Sequence, residues 1–121
     1  MGTDESDFDG MTTIIVQFPV EGFGTEAEFD LRCRMDELLD DALKKSANGI
    51  CDGGDSGSGS MNLFLIVKDV SRAIPTILST LRDNQLLTEG VVVAESLRGD
   101  DLADDYKVWW PEKFSGEFCI F

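Results

Sequence analysis

Gly54-Asp55-Ser56-Gly57 sets a hydroxyl nucleophile beside a carboxylate and between two glycines, the residue pattern that surrounds an acyl-transfer serine. That chemistry needs a histidine to take the serine proton, and the chain contains none. The same absence removes Cys-His nucleophile pairs and imidazole metal ligands. Any general acid or base here is a carboxylate, a lysine, the tyrosine or a cysteine. The one enzymatic reading these residues leave is Asp52 or Asp55 acting as base beside the Cys51 thiol.

The surrounding glycines fit no standard ligand loop. Gly54 to Gly59 has the glycine spacing of a phosphate-binding P-loop, but Ser60 and Met61 stand where Lys and Ser or Thr must follow, and Asp52 and Asp55 repel phosphate. No GxGxxG opens onto a helix, so nucleotide cofactors are not expected. Asp52, Asp55, Ser56, Ser58 and Asn62 supply oxygens of the kind Ca²⁺ takes. An EF-hand register begun at Asp52, however, places Gly54 at a ligand position and Leu63 where the bidentate Glu belongs. Cys33, Cys51 and Cys119 have no zinc-type spacing and no disulfide-framework pattern, so no metal is expected and the thiols are read as free, in a reducing compartment.

The charge is one-sided. Against 24 acidic residues stand 10 basic ones, a formal net charge of -14. Nucleic acid and anionic membranes are recognised by neutralising phosphates with Lys and Arg, so neither is an expected partner, whereas a basic polypeptide is attracted and steered. No stretch approaches the roughly 20 apolar residues of a membrane span, and the N-terminus has no basic-then-apolar leader, which predicts a cytoplasmic protein.

These groups must be positioned by a small set of elements. Residues 1–10 read as a disordered acidic tail and 11–121 as one domain, a length that buries a real core. Thr12 to Phe18 alternates as a strand, with Ile14, Val16 and Phe18 on one face and Ile15 and Gln17 on the other. Thr25 with Glu28 forms a capping box, and Leu31, Met35, Leu38, Leu39 and Ala42 recur at helical spacing until Asn48-Gly49. Glu28–Arg32, Arg32–Asp36, Asp40–Lys44 and Asp41–Lys45 are four apart, which marks the solvent side of that helix. A short strand near Ile50, a long mobile Gly/Ser connection over 52–60 and an apolar strand Met61 to Val67 follow. A second helix, which Asp69 or Ser71 can cap, carries Ile74, Ile77, Leu78 and Leu81, and Pro75 pushes its start toward Ser71. Val91 to Glu95 pairs with Tyr106 to Trp110, and Glu117 to Phe121 adds an edge strand.

The order strand, helix, strand, strand, helix, strand matches the ferredoxin-like split βαβ arrangement: an α+β fold with two helices on one face of an antiparallel sheet and an extra C-terminal hairpin or edge strand. Asp52-Gly53-Gly54-Asp55-Ser56-Gly57-Ser58-Gly59-Ser60-Met61-Asn62-Leu63-Phe64 resembles a loop and strand of small bacterial α+β proteins of uncharacterised role. The resemblance spans 49–70 and implies a ferredoxin-like fold with no activity.

Two helices leave one sheet face open. Ile15, Phe64 and Ile66, joined by Val92, Trp109 and Phe121, fall on it, an apolar area large enough to predict an interface. Trp109-Trp110 sharpens this, because neighbours on a strand point to opposite faces. Trp110 then belongs to the core, and Trp109, with Lys107, is free to anchor a partner. Asp100, Asp101, Asp104 and Asp105 crowd the preceding loop as a docking surface. The leading expectation is a non-catalytic protein-binding domain, an acidic inhibitor or immunity-type protein for a basic partner. The competing one is a homodimeric small-molecule-sensing or regulatory module joined through the open face.

Overall fold

The computed structural model describes residues 11–22, 25–57, 59–96 and 106–111. Five strands, β1 (Thr12–Pro19), β2 (Gly49–Gly57), β3 (Ser60–Val67), β4 (Val92–Ser96) and β5 (Tyr106–Trp110), and two helices, α1 (Glu26–Lys45) and α2 (Val70–Asp83), make an α+β fold. The sheet runs β2-β3-β1-β4-β5 and every pairing is antiparallel. The acidic tail, the 97–105 loop with its four aspartates and the expected strand at 117–121 lie outside the described residues.

One sheet face and both helices share a core. Ile14, Val16 and Phe18 from β1, Met61, Leu63, Leu65 and Val67 from β3, and Val93 from β4 meet Met35, Leu39 and Leu43 of α1 and Ala73, Ile74, Ile77 and Leu81 of α2. The period-2 and period-3.6 patterns of these segments converge on that layer. The α1 capping box forms as its residues dictate: Thr25 N donates to Glu28 Oε1 at 2.9 Å and Glu28 N donates to Thr25 Oγ1 at 3.2 Å. On its outer side Lys44–Asp40 and Lys45–Asp41 pair, while the Arg32 guanidinium lies over the Phe29 ring instead of meeting a carboxylate at its fourth neighbour.

Three expectations are corrected. The 52–60 segment is not a long mobile connection: β2 continues to Gly57, where it pairs with Ser60. Backbone hydrogen bonding needs no side chains, so Gly and Ser strand residues follow a strong neighbour, β3, despite poor intrinsic propensity. Gly59, at φ +86, supplies the turn, and a Cβ on Gly49 or Gly54 would overlap the carbonyl oxygens of Ile66 and Asn62. Helix α2 begins at Val70, with Asp69 as its cap, so Pro75 is inside it. Pro75 is on the exposed side, where the carbonyl it leaves unpaired meets water. Finally, α1 is closed by Ala47 in the left-handed region, φ 55, ahead of Asn48 and Gly49.

Candidate functional site

The sheet face away from the helices is a grid of three rows. Register places Asp55, Asn62, Gln17 and Val92 in one row; Phe64, Ile15, Ala94 and Val108 in the next; and Ile50, Ile66 and Thr13 in the third, with the Ser96–Tyr106 pair toward the other edge. From Asp55 to Gln17 the first row is polar and hydrogen-bonded, and Val92 closes it with an apolar side chain. Asn62, fully buried, donates Nδ2 to Asp55 Oδ1 at 2.9 Å and accepts from Gln17 Nε2 at 3.0 Å. Ile15 is only 1% exposed and Ala94 is buried, whereas Phe64 and Ile66 are half-buried. Phe121 lies outside the described residues.

Trp109 does not belong to that face. The β4–β5 register shifts between Val93 and Ala94, pairing Val93 with Trp110 and Ala94 with Val108. The residue skipped is Trp109, so the bulge turns both indoles toward the helix-covered core, against which both pack. The alternation rule that separated them holds only for an unbulged strand. Trp109 remains half-buried, donates Nε1 to Glu95 Oε1 at 2.9 Å, and carries the Lys107 ammonium 4.1 Å from its ring centroid.

The Cys51 thiol is flanked by Asp36 and Asp40 of α1, not by Asp52 or Asp55 acting as base. Burial first, and these carboxylates with it, push its pKa up to about 12 against the lowering effect of a backbone hydrogen bond from Gly53, so it is a protonated thiol near neutrality and a poor nucleophile. The Asp55 carboxylate is engaged by Asn62. Among the described residues no group of three or more His, Cys, Asp or Glu is placed to hold a metal ion. No helix among them is long and apolar enough to cross a membrane.

Sequence reasoning missed one concave feature altogether. Where α1 ends and β2 begins, a cleft of about 320 Å³ is walled by Met11, Ile50 and Ile66 and bordered by Lys44 and Lys68. Asn48, 1% exposed and between the lining residues Ala47 and Gly49, ties the two sides together: its Oδ1 accepts from Asp69 N at 2.8 Å, its Nδ2 donates to the Asp69 carbonyl at 2.9 Å, and its own carbonyl accepts from Lys68 N at 2.7 Å. These bonds join the α1–β2 turn to the β3–α2 junction, holding Lys44 and Lys68 to a common frame. The available signal was Asn48 itself, a polar residue beside Gly49 at the expected helix end, but its partner is 21 residues away.

The chain matches no protein-family model, no curated protein and no solved structure.

Proposed function

We propose that the chain is a non-catalytic protein-binding domain for a basic polypeptide, an inhibitor or immunity-type protein, with β5 and Trp109 as its contact. The observation that carries this reading is the Lys107 ammonium 4.1 Å from the Trp109 ring centroid, on a strand that ends the sheet order. Glu95 fixes the indole from its N–H edge, so the ring presents its electron-rich face to a cation. A basic side chain from a partner can take the place of Lys107 there. Asp100, Asp101, Asp104 and Asp105 immediately precede β5 in the chain and, within a net charge of -14, supply the steering field. The cysteines without disulfide-type spacing support a reducing compartment.

The ferredoxin-like assignment belongs to the same reading. It is supported by β1 lying between β3 and β4 with β2 at the edge, and the sheet adds β5 beyond those four strands. Affinity capture at low and high salt, with the native chain and Trp109→Ala side by side, tests the function. A basic protein retained by the native chain at low salt and lost from the variant supports it. Retention that ignores both salt and Trp109, or no retained polypeptide, overturns it.

A further inference from the structure

We infer that the cleft between the end of α1 and the β2–β3 edge binds a small amphipathic carboxylate, its apolar chain against Ile50 and Ile66 and its head between Lys68 and Lys44. This site is separate from the β5 contact proposed above, and neither depends on the other. Four observations converge on it. Ile50, 37% exposed, is one of two exposed large apolar side chains among the described residues, and it pairs across strands with Ile66 to make an apolar wall. The cleft's volume of about 320 Å³ is at the lower end of small-molecule sites, which run from about 300 Å³ upward.

The third observation is charge. Lys44 is balanced by Asp40 at 2.8 Å, but Lys68 forms no ion pair among the described residues. The neighbouring carboxylate, Asp69, is committed elsewhere, accepting from Ser71 Oγ at 2.7 Å and from Arg72 N at 3.3 Å. An unbalanced ammonium over an apolar wall, in a chain otherwise rich in anions, complements a ligand with one anionic head and an apolar body. Screening confines the long-range repulsion of the acidic surface to about 10 Å at 0.1 M salt, so the local ammonium decides. The fourth is the helix end. Three of the last four α1 carbonyls, which would otherwise repel an anion, are already engaged: Ala42 O by Ser46 N and Ser46 Oγ, Leu43 O by Asn48 N and Ser46 Oγ, and Lys44 O by Ala47 N.

The test is amide chemical-shift mapping of the full chain with decanoate, decanol and decyltrimethylammonium below their aggregation limits. Decanoate is expected to shift the amides of Ala47, Gly49, Ile50, Ile66 and Lys68 saturably, to bind about two- to fivefold more weakly to Lys68→Gln, and to lose that saturation in Ile50→Ser. Both positions are exposed, and an unchanged amide spectrum elsewhere shows each variant folded. Equal binding of decanol, tighter binding of the cationic analogue, shifts centred on another part of the sheet, or an unaltered affinity in Lys68→Gln overturns the inference.

Discussion

Asp40 Oδ1 accepts the backbone N–H of Cys51 at 2.9 Å, a helix side chain occupying a donor on the outer strand of the sheet. Its other oxygen accepts from Lys44 Nζ at 2.8 Å, so one carboxylate ties α1 to β2 and orders a lysine of the cleft. Asp40 is read from sequence as half of a surface ion pair, yet the bond to Cys51 makes it a structural joint.

Removing that joint is expected to destabilise the fold. Asp40→Ala loses a charge-assisted bond at a side chain 26% exposed, which sets the cost at about 1–2 kcal/mol, visible as a lower denaturation midpoint. The hydrogen bond from Lys44, then that from Cys51, holds the Asp40 carboxyl below its ordinary range. A depressed carboxylate stabilises the fold above its unfolded-state pKa, about 4, and that contribution is lost as pH falls through the lower folded value. The native chain should therefore lose stability more steeply than Asp40→Ala below about pH 4. Parallel acid titrations of the two proteins by circular dichroism check this.

Cys51 behaves in the opposite sense. With its pKa pushed up to about 12, the folded state keeps the thiol proton while the unfolded chain releases it near pH 8.5, so stability falls as pH rises from there toward the folded value. In a Cys119→Ser background at pH 8, iodoacetamide is expected to label the exposed Cys33 first and Cys51 far more slowly. Mass mapping of the two labelled peptides over time measures the ratio, and equal rates would refute the assignment.

Asn62 is a buried amide whose two bonds run to Asp55 and Gln17. Asp55→Ala leaves its Nδ2 unpaired away from water, at a cost of about 1–3 kcal/mol. Asp55→Asn keeps an acceptor oxygen and should recover most of that loss in urea melts. A loss shared equally by both variants would indicate that the charge, not the bond, matters.

Ala47 and Gln85 hold φ angles of 55 and 61, where a Cβ is crowded. Ala47→Gly and Gln85→Gly are each expected to raise stability by about 0.5–1 kcal/mol, the relief of strain exceeding the added freedom of the unfolded chain. Thermal unfolding of the single variants gives the sign directly.

The elements that could be read from sequence are those whose residues carry their own instructions. Thr25 and Glu28 announce the start of α1, and Met35, Leu39, Ile74, Ile77 and Leu81 occupy the core their spacing assigns them. What was not legible depends on a partner strand. β2 exists because β3 pairs with it, and no side chain between Asp52 and Gly57 says so. The bulge that brings Trp109 beside Trp110 on one layer arises from pairing with β4, which strand alternation alone misreads. The polar row is legible in part, since Gln17 and Asn62 alternate onto the same face as Ile15 and Phe64 and interrupt its apolar area. The cleft required Asn48 to be matched with Asp69, a pairing that no local pattern contains.

The composition of β2 also bears on how molecules of this protein avoid one another. An outer strand with glycine at positions 49, 53, 54 and 57 offers a second molecule backbone hydrogen bonds but few side chains to interdigitate, and fibrils need both. With Asp40 already holding one of the donors and aspartates at 52 and 55 repelling their own copies, stacking along this edge is disfavoured at neutral pH. Acid removes the repulsion and weakens the Asp40 bond together, so acid storage is the condition under which fibre growth from this edge becomes competitive.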